Sequence, residues 1–264
     1  MFKRHQLFGV FLCCWAGLNL ASGSAAPPVE AKVVLHPKLL VPAYFYPAGA
    51  GRKYWDQLIQ AAARVPVIAI ANPASGPGVQ ADSNYTTVIT QAQAANVKVI
   101  GYVSTSYANR PLSEVTADVD RWVMLYPKIQ GIFFDEQASA GDKVDYYLAL
   151  RQHTLTKIPQ AFTVTNPGTE CAEVYFSKNV ADTLCIIEKG AGLEAYQPPA
   201  WATEYPAERF YGLAYQVKKP AGMQASVKAT PKKHLGYVFI TDDVLENPWD
   251  TLPPYWESLV RALK

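Results

Sequence analysis

The 264-residue chain is half hydrophobic and only 17% charged, which excludes a disordered polymer and suits one large domain or two small ones. Its formal net charge of +2 comes from 24 basic and 22 acidic residues, two of the basic ones being Lys3 and Arg4 at the extreme N-terminus. Nothing in that balance supplies the basic surface a nucleic-acid partner needs, so none is expected.

Lys3 and Arg4 precede an apolar run over residues 7–18, which gives way to Ala21-Ser22-Gly23-Ser24-Ala25-Ala26. That is the layout of a secretory signal peptide over residues 1–26, with the cut placed near Ala25. The run is too short to cross a hydrocarbon core of roughly 30 Å as a helix. The expectation is therefore a secreted or periplasmic monomer with no membrane span after cleavage. Residues 27–37 read as an N-terminal extension and 38–264 as one domain. Two cysteines remain outside the leader, Cys171 and Cys185. In an exported protein they could form a disulfide, and the alternative is two buried thiols.

Short apolar, β-branched runs then recur at 39–46, 65–72, 97–105, 129–135, 161–166, 183–188, 210–215 and 235–240. They lack the alternation of half-exposed strands and read as buried parallel strands. Amphipathic or Ala-rich stretches at 54–64, 85–96, 113–126, 143–156, 223–228 and 254–263 read as helices. Eight strands alternating with helices, without a Gly-rich dinucleotide turn after the first, predict an α/β fold of the (β/α)8 TIM-barrel type.

A barrel of this type places its active site at the C-terminal ends of its strands. Unusual polar residues gather at those ends: Tyr44 and Tyr46 after strand one, Asn72 after strand two, and Ser104, Thr105 and Tyr107 after strand three. Asp135-Glu136 follow strand four, Asn166 strand five, Glu188 strand six, and Asp242-Asp243 strand eight. On strand four, period-two alternation puts Phe133 and Asp135 on one face. The inward choice sets a carboxylate above a Phe floor, with Glu136 leaning toward a neighbouring loop. Each acid has a plainer role available: an N-cap or turn for Asp135, an ion pair with Lys189 for Glu188, and turns for Asp242 and Asp243.

Glycosidic cleavage generally uses two carboxyl groups, one protonated and one ionised. Asp135, Glu136 and Glu188 supply them, and the residues alone leave open which two are paired. Other chemistries lack their parts. Ser75 and Ser104 have no nucleophile-elbow setting, and His36, His153 and His234 have no triad context. No His/Cys spacing suits a metal, and no cofactor is called for.

Five segments in order carry a family resemblance: 41–47 (VPAYFYP), 71–78 (ANPASGPG), 101–107 (GYVSTSY), 131–136 (GIFFDE) and 166–168 (NPG). Together they resemble the spherulation-specific family 4, the spherulin-4-like proteins that include glycoside hydrolase family 135. The resemblance implies a (β/α)8 barrel and endo-α-1,4-N-acetylgalactosaminidase action on galactosaminogalactan. It also implies functional residues at Asp135, Glu136, Asn166 and Glu188. Tyr44, Tyr46, Tyr102 and Tyr107 are then expected to stack on sugar, with Asn72, Thr105, Arg110 and Asn166 as further binding residues. The rival expectation is a non-catalytic glycan-binding or developmental cell-surface protein on the same barrel.

Overall fold

A computed structural model describes residues 36–264. The leader-like segment and most of the extension at 27–37 lie outside the described residues. Eight parallel strands close into a barrel in sequence order: β1 (Lys38–Ala43), β2 (Val67–Ala71), β3 (Lys98–Ser104), β4 (Gly131–Asp135), β5 (Phe162–Thr165), β6 (Thr183–Gly190), β7 (Phe210–Tyr215) and β8 (Tyr237–Ile240). Pairing of Lys38 with Tyr237 and Leu39 with Val238 joins β1 to β8 and leaves no free edge. Strand order and parallel pairing are those of the predicted TIM barrel, and every expected strand is present, most with ends moved by one to three residues.

Helices α1 (Arg52–Ala61), α2 (Ser83–Ala94), α3 (Leu112–Leu125), α4 (Val144–Lys157), α6 (Pro220–Ala229) and α7 (Trp256–Ala262) overlie the six expected helical stretches. Local chemistry sets their ends. The Asp82 carboxylate accepts the Asn84 and Tyr85 amides at 2.7 and 3.3 Å, capping α2. Pro220 opens α6 with a ring whose missing N–H would have been unsatisfied there.

Packing explains why the helices seat where they do. Gly101 in β3 faces the Trp122 ring of α3 so closely that a Cβ there would lie 2.5 Å from it. The indole Nε1 of Trp122 donates to the Tyr102 carbonyl at 2.8 Å, fixing α3 against β3. Trp55 does the same for α1, donating to the Phe45 carbonyl at 3.0 Å. Both indoles are fully buried, and truncating such a ring to Ala costs about 3–5 kcal/mol.

The wall between β5 and β7 is built differently. Only the four-residue α5 (Val174–Ser177) and two short 3-10 turns, Ala200–Glu204 and Ala207–Arg209, lie there. Aromatic stacking takes the place of a long helix. Phe176 lies 4.8 Å from Phe210 and 4.9 Å from Trp201, and the Arg209 guanidinium sits 5.7 Å over the Phe176 ring. Cys171 and Cys185 are both free and buried, so the disulfide weighed from the sequence does not form.

Candidate active site

Strand four delivers its carboxylate as alternation predicts. Phe133 and Asp135 both line a cleft of about 350 Å³ at the C-terminal end of the barrel. Tyr102 packs its ring 6.1 Å from Phe133, and its hydroxyl helps to lower the Asp135 pKa. Tyr44 stands edge-on to Tyr102 at 5.7 Å. Asp135 therefore sits on an aromatic floor.

Glu188 reaches the same cleft by an irregularity. Cys185 pairs with Tyr211, but the next partners are Ile187 with Gly212 and Glu188 with Leu213, so Ile186 is an extra residue in β6. Inward positions on β7 are Tyr211, whose hydroxyl donates to the Leu40 carbonyl at 2.6 Å, and Leu213 and Tyr215, which line the cleft. Counting by twos from Cys185 would have turned Glu188 outward. The bulge reverses the parity beyond Ile186 and brings Glu188 in.

Asn166 ties the two acids together. Its Nδ2 donates to Asp135 Oδ1 and to Glu188 Oε2, both at 2.9 Å. Two oxygens that share one donor nitrogen at that distance lie no more than about 5.8 Å apart, twice 2.9 Å. Burial raises the pKa of Asp135, opposed by hydrogen bonds from Tyr102, the Glu136 backbone and Asn166, while the Glu136 charge adds to the rise. Burial likewise raises Glu188, and the Asp135 charge adds to it, with Asn166 alone opposing. More donors face Asp135, so it is the better equipped of the two to carry charge, and Glu188 to hold a proton.

Glu136 and Tyr107 enter the cleft on a backbone that few side chains adopt. Glu136 has φ 55°, and Ser106, Tyr107 and Ala108 follow one another at 48°, 57° and 62°. Left-handed conformations cost a non-glycine residue on the order of 1 kcal/mol or more each. Hydrogen bonds hold the turn in place. The Tyr107 amide donates to the Glu136 carbonyl at 2.7 Å, and the Thr105 hydroxyl donates to the carbonyls of Asp135 and Glu136 at 2.9 and 2.8 Å. The Ser104 hydroxyl donates to the Glu136 carboxylate.

Of the residues singled out from the sequence, Tyr44, Tyr107, Asp135, Glu136, Asn166 and Glu188 line one cleft, with the Tyr102 ring packed against Tyr44 and Phe133. Four others stand elsewhere. Tyr46 is exposed, and its hydroxyl bonds Asp82 and Asn84, both at 2.8 Å. Asn72 accepts the Gly76 amide at 2.9 Å and organises its own turn. Thr105 is fully buried beneath the carbonyls it supports. Arg110 is spent on the Ser104 carbonyl at 2.7 Å and on Asp118 at 2.8 Å. Asp243 accepts the Val244 amide and the Thr251 hydroxyl, as a turn residue does.

The opposite wall went unnoticed in the sequence. It consists of Pro42, Leu213, Tyr215, Leu245 and Trp249. Tyr215 ends β7 and could have been found by the strand-end rule that found Tyr44. Trp249 follows β8 in a loop, packs edge-on to Tyr215 at 6.2 Å and carries no comparable signal. Among the described residues no group of His, Cys, Asp and Glu could hold a metal ion, and no helix is long and apolar enough to cross a membrane.

Known proteins match this chain over nearly all the described length. The spherulation-specific family 4 matches residues 38–263. Spherulin-4 of Physarum polycephalum is 33% identical over 217 residues, covering 78% of this chain and 63% of the relative, so the chain spans under two thirds of that protein's length. The crystal structure of Aspergillus clavatus Sph3 in complex with GalNAc is similar with a TM-score of 0.75 and 26% identity, over 86% of this chain and 97% of that one. Alpha-L-fucosidase isoenzyme 2 from Paenibacillus thiaminolyticus shares the fold at a TM-score of 0.52 and 11% identity, over 87% of this chain and 49% of that one.

Proposed function

The chain belongs to spherulation-specific family 4, and from that premise we propose that it is an exported glycoside hydrolase cleaving within an amino-sugar polysaccharide. The substrate proposed is α-1,4-linked and contains N-acetylgalactosamine, in the manner of galactosaminogalactan. The observation that carries the reading is the Asn166 amide shared between Asp135 and Glu188. Two carboxyl groups so close and so differently supplied with donors are the equipment of acid-assisted glycosyl transfer. The GalNAc in the complex of the similar Sph3 supports the choice of sugar, and the leader-like residues 1–26 support export.

Asp135 acts as the nucleophile and Glu188 as the general acid and base. In the first step an Asp135 oxygen attacks the anomeric carbon while Glu188 gives its proton to the departing glycosidic oxygen, leaving a glycosyl ester on Asp135. In the second step Glu188 takes a proton from water, the water oxygen attacks the same carbon, and the ester bond breaks. Oxygens no more than about 5.8 Å apart suit a direct nucleophile, whereas a pair admitting water between acid and base stands roughly 6.5–9.5 Å apart. The product therefore retains its anomeric configuration. Tyr44 and Tyr102 shape the floor, and Tyr107, Tyr215 and Trp249 supply faces and edges for the sugar rings.

The test is to incubate the purified protein with galactosaminogalactan, count new reducing ends and follow the anomer formed by proton NMR. Retained configuration, abolished by Asp135→Asn, is expected. Wild-type turnover by Asp135→Asn would remove Asp135 from its role, and no product from any amino-sugar polymer would remove the hydrolase reading.

A further inference from the structure

The buried tryptophans of the barrel differ in what they do with their N–H groups. Trp55 and Trp122 donate theirs to the Phe45 and Tyr102 carbonyls, at 3.0 and 2.8 Å. Trp249 is only 8% exposed, yet its indole Nε1 meets no acceptor among the described residues. The Trp256 nitrogen is sealed in without a partner; that of Trp249 is not sealed, and Trp249 lines the cleft. Its ring is also held in place, 6.0 Å from Phe239 and 6.2 Å from Tyr215, while its carbonyl accepts the Tyr44 amide at 3.1 Å. A donor drawn out of water and left unpaired is unfavourable, by about 1–3 kcal/mol when burial is complete. A fixed indole N–H at the cleft therefore calls for an acceptor on the ligand.

The rest of the cleft indicates which acceptor. Asp135, Glu136 and Glu188 on the other wall bring acceptors, and the Asn166 amide is taken up by two of them. Around the indole the lining is apolar: Pro42, Leu213, Leu245 and the ring of Tyr215. A group suited to both walls has an acceptor on the indole side, a donor on the acid side and a small apolar end. A secondary amide has these parts. It is trans, so its C=O and N–H point in opposite directions, and an acetyl methyl completes the match. A free ammonium has donors only and leaves the indole unpaired. A hydroxyl accepts but has no apolar end.

We infer that Trp249 reads the 2-acetamido group of the sugar: its Nε1–H donates to the acyl carbonyl oxygen, and the methyl lies against Leu213 and Tyr215. The inference rests on the reading of the cleft as a site for an N-acetylated amino-sugar chain. It adds the residue that tells the acetylated sugar from the bare amine.

Length-matched α-1,4-N-acetylgalactosamine and α-1,4-galactosamine oligomers are titrated calorimetrically into Asp135→Asn protein, which holds the chain uncut. Adding Trp249→Phe, which keeps a ring and removes the N–H, is expected to weaken the acetylated oligomer roughly tenfold and the bare amine by a clearly smaller factor. With isotope-labelled indole nitrogens, an N–H signal should move on adding the acetylated oligomer and stay in place with the other. That measurement needs no substitution at Trp249, so it covers the case in which Trp249→Phe does not fold. Equal losses on both oligomers, or no indole signal that separates them, overturns the inference; cleavage of the polymer by the wild type would still leave the hydrolase reading intact. The expected binding results from a wild type that releases no reducing ends would sink that reading and leave Trp249 in its role.

Discussion

The two ends of β6 carry carboxylates that the barrel treats in opposite ways. Asp182, just before the strand, accepts the Arg151 guanidinium at 2.9 Å and the Thr163 amide at 2.7 Å. Burial pushes its pKa up, but the Arg151 hydrogen bond, the Thr163 donors and the Arg151 charge outweigh it, and the net shift is downward. Glu188, six residues on, is perturbed by burial and a neighbouring acid, with one amide to oppose them, and its shift is upward. The first arrangement stabilises the fold. The second costs stability and makes its proton easier to keep, which is the division expected between the lower and upper faces of a TIM barrel.

The sharpest way to break that contrast is to neutralise the upper acids. Asp135→Asn should lower turnover by about three orders of magnitude or more and raise the melting temperature. The sign follows from the raised pKa. A carboxyl that ionises later in the folded state than in the unfolded one opposes folding increasingly as pH climbs between those two values. Glu188→Gln should behave alike. A melting temperature that falls in both variants would show that these acids stabilise the barrel, as Asp182 does.

Asn166→Ala attacks the link between the upper acids. The Asn166 amide lowers both pKa values, so its loss lets both rise and moves the pH optimum for cleavage upward. Turnover should fall roughly a hundredfold, the order seen when one aligned donor is removed from a reacting charge. A pH profile that scales down without moving would mean that the amide only fills space.

At the lower end, Arg151→Met leaves Asp182 without its cation. Breaking a buried pair costs about 3–5 kcal/mol, and because Asp182 is about one-third exposed the expected loss is nearer 2 kcal/mol. Catalysis should be untouched. The stability that Asp182 contributes is present above its unfolded pKa and lost as pH falls through its lower folded value. The variant should therefore lose less stability on acidification than the wild type, as read from urea unfolding across an acidic pH series.

This contrast also marks what the sequence could disclose. All eight strands were legible because each is a short apolar run, and Asp135 was legible because β4 is regular, so Phe133 and Asp135 share a face by simple alternation. The inward turn of Glu188 was not, because it depends on the extra residue at Ile186, and Cys-Ile-Ile carries no mark of a bulge. Nor was the left-handed turn at 106–108, where Ser, Tyr and Ala stand in place of the glycine that usually announces one. Tertiary hydrogen bonds from Thr105 and Glu136 hold it, and those partners lie some thirty residues apart in the chain. Arg110 and Asn72 stand outside the cleft lining for the converse reason. Their strand-end positions are as expected, but Asp118 holds the Arg110 guanidinium and the Gly76 amide holds the Asn72 Oδ1.

The mildest test concerns the loop that steadies the bulge. The Gly168 amide donates to the Cys185 carbonyl at 3.1 Å and its carbonyl accepts the Glu188 amide at 2.9 Å, so one residue grips β6 on both sides of Ile186. Gly168 has φ 65°, and a Cβ there would meet Asn166 Oδ1, Glu188 Cβ and Glu188 Oε2 at an ordinary 3.7 Å. Gly168→Ala therefore brings backbone strain without a clash, about 1 kcal/mol. If the loop only has to hold the bulge, the melting temperature should drop by a few degrees while the pH profile of cleavage stays in place. A displaced profile would mean that even this small strain reaches the Asn166 bridge, and that the upper end of β6 has less tolerance than its lower end.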